Sequence, residues 1–248
     1  DFVNSSHPLI GLDADQNVVL GPSDPHFHFV LRIPFWSSKR QGHWEAYRMY
    51  DASTAVMRAN GLNATQLSSG GTLSLAENGS RAFWQVATGS AGVGDGYLIE
   101  APNMTQTLGA FGVFGAQFEV LQTTNFTLEA GLWDGTTANR IAFYWDVGNS
   151  SSNFTLRCSS GGAVTAVGAG QGSGSTARWH IRIHNIDDSN IELMTSTSGV
   201  ALGEFVTRAT ASSNLPTTGL YPYIRFVNRV TALSRTGRFD QIYNINGR

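Results

Sequence analysis

The chain has 248 residues and a mass of 26.7 kDa, which suits one large all-β domain or two small ones and is enough for a sizeable core. A formal net charge of -2 and a pI near 6.3 leave no basic footprint, which excludes nucleic acid as a partner. Charged residues are 14% of the chain, against about a quarter in ordinary soluble domains. With 28 glycines and abundant Ser, Thr and Asn, this composition fits an extracellular protein or an assembly component better than a cytosolic enzyme. There is no apolar run of membrane-spanning length and no signal peptide, and a start at Asp1 reads as a processed or truncated form. Cys158 is the single cysteine, so no intrachain disulfide forms, and its apolar strand neighbours predict a buried, inert thiol.

Residues 1–30 alternate poorly and contain Pro8, Pro22 and Pro25. They predict an irregular N-terminal arm that frays or docks on a neighbouring subunit. Within it, Asp13, Asp15 and Asn17 alternate like the start of a calcium loop but lack its glycine and distal glutamate. No cofactor is expected, and this is the only opening for calcium. His26 and His28 share a strand face, as do His180 and His184, without the third ligand a transition metal needs.

From residue 31 to 248 period-two patterns recur, and one β-sandwich domain is expected. The first half holds "HFHFVLRIPF", "HWEAYRMY", "TAVMRA", "TLSLA", "RAFWQVA" and "GYLIEA". The second half is denser, running from "AFGVFGAQFEVLQ" through "NFTLEAGLWD", "RIAFYWDV", "NFTLRCS", "AVTAVGA", "RWHIRIHNI", "NIELMTS", "EFVTRAT" and "LYPYIRFVN" to "GRFDQIYNI". Turn formers such as "DGTTAN", "GNSSSN" and "DDSN" separate them. Many short strands at close spacing argue for an antiparallel sandwich or barrel. In "FTLEAGLW", Phe126, Leu128, Ala130 and Leu132 share a face, and in "RIAFYWDV", Ile141, Phe143 and Trp145 do. This reads as a core hairpin whose turn, Asp134 to Asn139, merely joins two strands, with the opposite faces towards solvent or a neighbour.

The order of elements from about Gly109 to Arg248 resembles the concanavalin A-like (laminin-G-like) jelly-roll domains of phage and virus particle proteins. The resemblance rests on "FGAQFEV", then "LEAGLWDGTTANRIAFYWD", then the hairpin "NFTLRCSSGGAVTAVGAG", then "ARWHIRIHNIDDSNIELMTSTSGVALGEF", and last "LPTTGLYPYIRFVN" with "GRFDQIYNI". It implies an antiparallel jelly-roll β-sandwich and a place in a virion shell, decoration or fibre. The same fold hosts lectins, glycosidases and lyases, so it does not decide function.

No catalytic residue is assigned. Retaining glycosidases of this fold carry an E-x-D-x-E-like run, whereas Glu45, Glu100, Glu119 and Glu129 each stand alone on their strands. Lyases of this fold use a Tyr/His/Arg/Gln cluster; "IRIHN" and "PYIRFVN" hold such residue types without the surrounding motifs. Trp36, Trp44, Tyr47 and Arg48, in "FWSSKRQGHWEAYRMY", are the candidate carbohydrate-binding residues, stacking rings on sugar faces beside cations, with core packing as the competing reading. Sequons at Asn4, Asn63, Asn78, Asn103, Asn125, Asn149 and Asn153 are glycosylation candidates of a secreted or virion-exposed protein. That at Asn125 places the start of the core hairpin at the surface.

The expectation is a non-enzymatic structural glycoprotein of a virus particle or extracellular assembly (capsid, decoration or fibre), at the virion surface or outside the cell. Its partners are copies of itself in a homo-oligomer, other assembly subunits and glycans. The alternative is a carbohydrate-binding receptor-recognition module, and a polysaccharide lyase or glycosidase comes third.

Overall fold

The computed structural model describes residues 10–12, 18–20, 33–36, 41–48, 62–68, 70–78, 81–148, 153–170, 178–197 and 205–246. The strands are β1 (Ile10–Leu12), β2 (Val18–Leu20), β3 (Ile33–Trp36), β4 (Gln41–Arg48), β5 (Asn63–Gln66), β6 (Thr72–Asn78), β7 (Arg81–Ala87), β8 (Gly96–Glu100) and β9 (Phe111–Val120). There follow β10 (Phe126–Trp133), β11 (Arg140–Val147), β12 (Thr155–Ser160), β13 (Ala163–Gly168), β14 (Arg178–Asn185), β15 (Ile191–Thr197), β16 (Val206–Ala211), β17 (Tyr221–Asn228) and β18 (Thr236–Asn246). Two one-turn 3-10 helices, Pro102–Met104 and Leu108–Ala110, lie between β8 and β9.

A seven-stranded antiparallel sheet runs β13-β12-β11-β10-β17-β8-β5, and a nine-stranded sheet runs β16-β15-β14-β9-β18-β4-β3, with β7 and β6 attached beside β18. This is the antiparallel jelly-roll sandwich expected from the sequence. The long strand β18 takes two partners on one edge: β7 along Thr236–Phe239 and β4 along Gln241–Ile245. A register shift between Phe239 and Gln241 marks the changeover. Within the expected arm, β1 and β2 pair as a sheet of their own. The strand expected in "TAVMRA" lies outside the described residues. Strand β5, "NATQ", was not legible because it lacks apolar alternation.

The core sits between the sheets and follows the alternation. Phe126, Leu128, Ala130 and Leu132 of β10 and Ile141, Phe143 and Trp145 of β11 meet Phe114, Ala116 and Phe118 of β9 and Ile181 and Ile183 of β14. Phe154 bridges the layers, edge-on to Trp145 at 5.0 Å and to Trp179 at 4.8 Å. One edge is tied by Asn214, whose amide donates to Thr165 Oγ1 at 2.9 Å.

The structure corrects the reading of the hairpin in one respect. Every residue of β10 is buried, on both faces. The face turned away from the core is covered by polar and aromatic side chains of its own sheet.

Cys158 lies in the core, and burial pushes its thiol from 9.0 up to about 12. The folded state therefore holds this proton more tightly than the unfolded chain does. Its contribution to stability is full below about pH 9 and declines above that, towards pH 12. Aromatic disulfide reagents at pH 8 should leave the native thiol unmodified and label it fully in denaturant; rapid native labelling would contradict its burial.

Candidate functional site

Side chains alternate along each strand, so the outer face of the seven-stranded sheet can be read as register rows. One row holds Tyr144, Glu129 and Arg225. The next holds Arg157, Ala142, Gly131, Tyr223 and Glu100. A third holds Ser159, Arg140, Trp133 and Tyr221. Gly131 and Ala142 form a low centre across which larger side chains lean. A Cβ at Gly131 would fall 2.1 Å from the Ile141 carbonyl oxygen, so this tight β10–β11 approach requires glycine.

Glu129, 3% exposed, is the centre of the face. Its Oε2 accepts from Arg140 Nη1 at 2.6 Å and from the Tyr223 hydroxyl at 3.0 Å, and its Oε1 accepts from Arg225 Nη1 at 2.9 Å. A buried carboxylate persists in this setting because cations and a hydroxyl replace its water. Trp133 stacks on Tyr223 at 4.4 Å and 17°, and meets Tyr221 edge-on at 6.4 Å. Arg157 lies 3.3 Å over the Tyr144 ring. Below them Asp146 accepts from Thr127 at 2.8 Å and pairs with Arg229 at 3.1 Å. Burial, and then the Glu129 charge, raise the Tyr223 phenol well above 10. Burial, and then Glu100, raise Tyr221. These phenols are neutral donors at physiological pH.

Both oxygens of Glu129 are occupied, so it is poorly placed to act as a general acid or base. The outward positions of β11 are Arg140, Ala142, Tyr144 and Asp146, which is not a run of acids. What faces outward, half-buried, is Tyr144, Arg157, Tyr221, Arg225 and Glu100. Aromatic rings beside guanidinium forks and one carboxylate give this face both apolar and charged contact groups.

Trp36 lies in β3, and Trp44, Tyr47 and Arg48 lie in β4, along one edge of the nine-stranded sheet; their side chains lie outside the described residues. They are not on the sheet that carries Glu129. The Tyr and Arg of "PYIRFVN" are Tyr223 and Arg225, both bound to Glu129. The Arg and His of "IRIHN" belong to the opposite face of the molecule. Next to them His180 is buried against Gln117, with Nδ1 at 3.1 Å, and the Phe205 ring lies parallel to it at 6.1 Å. His184 instead pairs with Glu192 at 3.7 Å. Among the described residues no group of three metal-ligating side chains occurs, and Asp13, Asp15, Asn17, His26 and His28 lie outside them. Asn63, Asn103 and Asn153 are exposed, and Asn125 is half-buried with φ at 60°. The side chains of Asn4, Asn78 and Asn149 lie outside the described residues.

No family model matches the sequence, and no curated protein matches it. Solved structures do match. A protein of unknown function, SO2946 from Shewanella oneidensis MR-1, has a TM-score of 0.61 at 11% identity, covering 83% of this chain and 87% of that one. The carbohydrate esterase vb_24B_21 from Shiga toxin-encoding bacteriophage phi24B has a TM-score of 0.52 at 12% identity, covering 82% and 97%. The CBM2 module of the evolved Dit of Lactobacillus casei BL23 phage J-1 has a TM-score of 0.51 at 10% identity, covering 75% and 98%. Peanut lectin and a Bacteroides ovatus GH16 protein also reach 0.51. These likenesses establish the concanavalin A-like fold, which enzymes and binding proteins share.

Removing Glu129 strands two cations and a buried phenol. Glu129→Ala should lower the unfolding free energy by about 3–5 kcal/mol, read from urea denaturation. A loss below about 1 kcal/mol would contradict the assigned network.

Proposed function

We propose that the protein is a non-catalytic, glycan-binding jelly-roll component of a particle or other extracellular assembly. The glycan lies across the outer face of the seven-stranded sheet. The observation that carries this reading is the Glu129 network, which holds Arg225, Tyr223 and Arg140 in place beside the half-buried rings of Tyr144 and Tyr221. A surface fixed in advance loses little side-chain entropy when a sugar settles on it. Rings and forks offer both faces of what a pyranose presents, its C–H patch and its hydroxyls. The occupied oxygens of Glu129 and the lack of a paired acid on β11 favour binding over hydrolysis. The low charged fraction of the chain supports a place in an assembly.

Trp36, Trp44, Tyr47 and Arg48, at the edge of the other sheet, are a second proposed set of contact residues, divided by strand alternation between its two faces: Trp44 and Arg48 on one, Trp36 and Tyr47 on the other. A glycan array probed with the intact protein tests both. Tyr144→Ala should weaken the best hit about tenfold with unchanged circular dichroism. An array without hits would overturn the binding reading. Loss of binding only on substitution of Trp36 or Trp44 would move the site to the other sheet.

The assembly part has its own readout. Light scattering at high concentration should give a multiple of the 26.7 kDa chain mass. A strictly monomeric species would overturn it, because closed oligomers are the usual building units of such assemblies.

A further inference from the structure

On the outer face of the seven-stranded sheet, four polar atoms are buried and have no hydrogen-bond partner: Trp133 Nε1, Arg140 Nε, Arg157 Nε and Ser159 Oγ. Buried polar atoms of a native fold are nearly always satisfied, so a group of four on one face needs an account. They form one neighbourhood. Arg140 is the register partner of both Trp133 and Ser159, and Arg157 stands one row away, opposite Ala142. Trp133 and Arg140 are 7% exposed and Ser159 is fully buried. The indole and both guanidinium nitrogens can only donate, and the hydroxyl can donate. The nearby acceptor, Glu129, already takes three hydrogen bonds. Arg157 has no carboxylate partner among the described residues; its guanidinium rests on Tyr144, and the residue is only half-buried.

Neighbouring donors, with a cation at their rim that has no carboxylate partner among the described residues, suit an oxyanion. Resting on the glycan-binding reading above, we infer that this site selects acidic saccharides. An anionic substituent of the sugar, carboxylate or sulfate ester, enters beside Arg157, draws its guanidinium off the Tyr144 ring, and accepts from it and from the Arg140, Ser159 and Trp133 donors so uncovered. The sugar ring rests on Tyr221 and on the face of Tyr144 that Arg157 leaves. A carboxylate brings enough lone pairs for all four donors, whereas a neutral hydroxyl cannot satisfy them.

The test is calorimetric titration of the full chain with oligogalacturonate and with its methyl ester, which is the same backbone without the charge. A second arm compares sulfated and desulfated galactan oligosaccharides and separates the two sources of the anion. The acid form should bind at least about tenfold more tightly than its neutral counterpart in one of the two arms, and this preference should shrink as salt rises. Arg157→Gln should abolish the preference while retaining weak binding of the neutral form, and Arg157→Lys should restore part of it. The Trp133 indole N–H resonance, assigned through Trp133→Phe, should shift on adding the acid form and stay in place on adding the ester. Equal affinity for acid and neutral forms in both arms overturns the inference and leaves glycan binding standing, the donors then being served by water alone. No binding of any form overturns both.

Discussion

A single carboxylate joins three strands of the seven-stranded sheet. Glu129 on β10 reaches Arg140 on β11 and both Tyr223 and Arg225 on β17, using each of its oxygens. It sits at the middle strand of the face, so the positions of the aromatic rings on either side depend on it. Arg140 leans across Ala142 to reach it, and Trp133 lies over Gly131 against the same Tyr223 that donates to it. Replacing the whole group with fitted apolar residues would leave stability about level or raise it, since a buried ion pair gives up nearly as much hydration as it gains in attraction. The network is therefore better understood as fixing an arrangement than as holding the fold together. Stability comes from the other face of the same strands, where Phe126, Leu128, Leu132, Phe143 and Trp145 are fully buried.

The two faces of one hairpin thus do different things. The even residues of β10 and the odd residues of β11 enter the sandwich core, and the alternate set builds an ordered polar surface. That surface is unusual for the open side of a sheet, because Glu129, Arg140 and Trp133 are themselves buried while Tyr144, Arg157, Tyr221 and Arg225 cap them half-buried. A hydrogen-bonded polar layer beneath half-buried rings fits the recognition role proposed above, in which the ordering of side chains is completed in folding and not at binding. On the opposite sheet, His180 is instead covered by Phe205, with Arg182 3.8 Å over the same ring.

The fold was legible because apolar alternation is a short-range signal. Leu128 and Leu132 announce a core face from a few residues of sequence, and the order of such strands carries the jelly roll. The polar "NATQ" strand gave no signal of that kind, because β5 is defined by pairing with β8 rather than by its own residues. The candidate site was illegible for a related reason. Glu129 lies 11 positions from Arg140 and 96 from Arg225, and nothing local announces that they meet. In "NFTLEAGLWDGTTANRIAFYWD" the alternation shows the core face directly, whereas the polar contacts of Glu129 and Arg140 on the other face depend on β17 lying beside β10. The rings of Trp36, Trp44 and Tyr47 are close in sequence, whereas Trp133, Tyr221 and Tyr223 are brought together only by register.

The most direct test of this account is a double-mutant cycle between Glu129 and Arg140, with Glu129→Gln, Arg140→Gln and the pair compared by urea unfolding. If the carboxylate organises the face, the two changes will be strongly non-additive, with a coupling of about 2 kcal/mol or more and a double variant more stable than the sum of the singles predicts. Additivity to within about 0.5 kcal/mol would mean that the two side chains act independently, and the arrangement of the face would then need another cause.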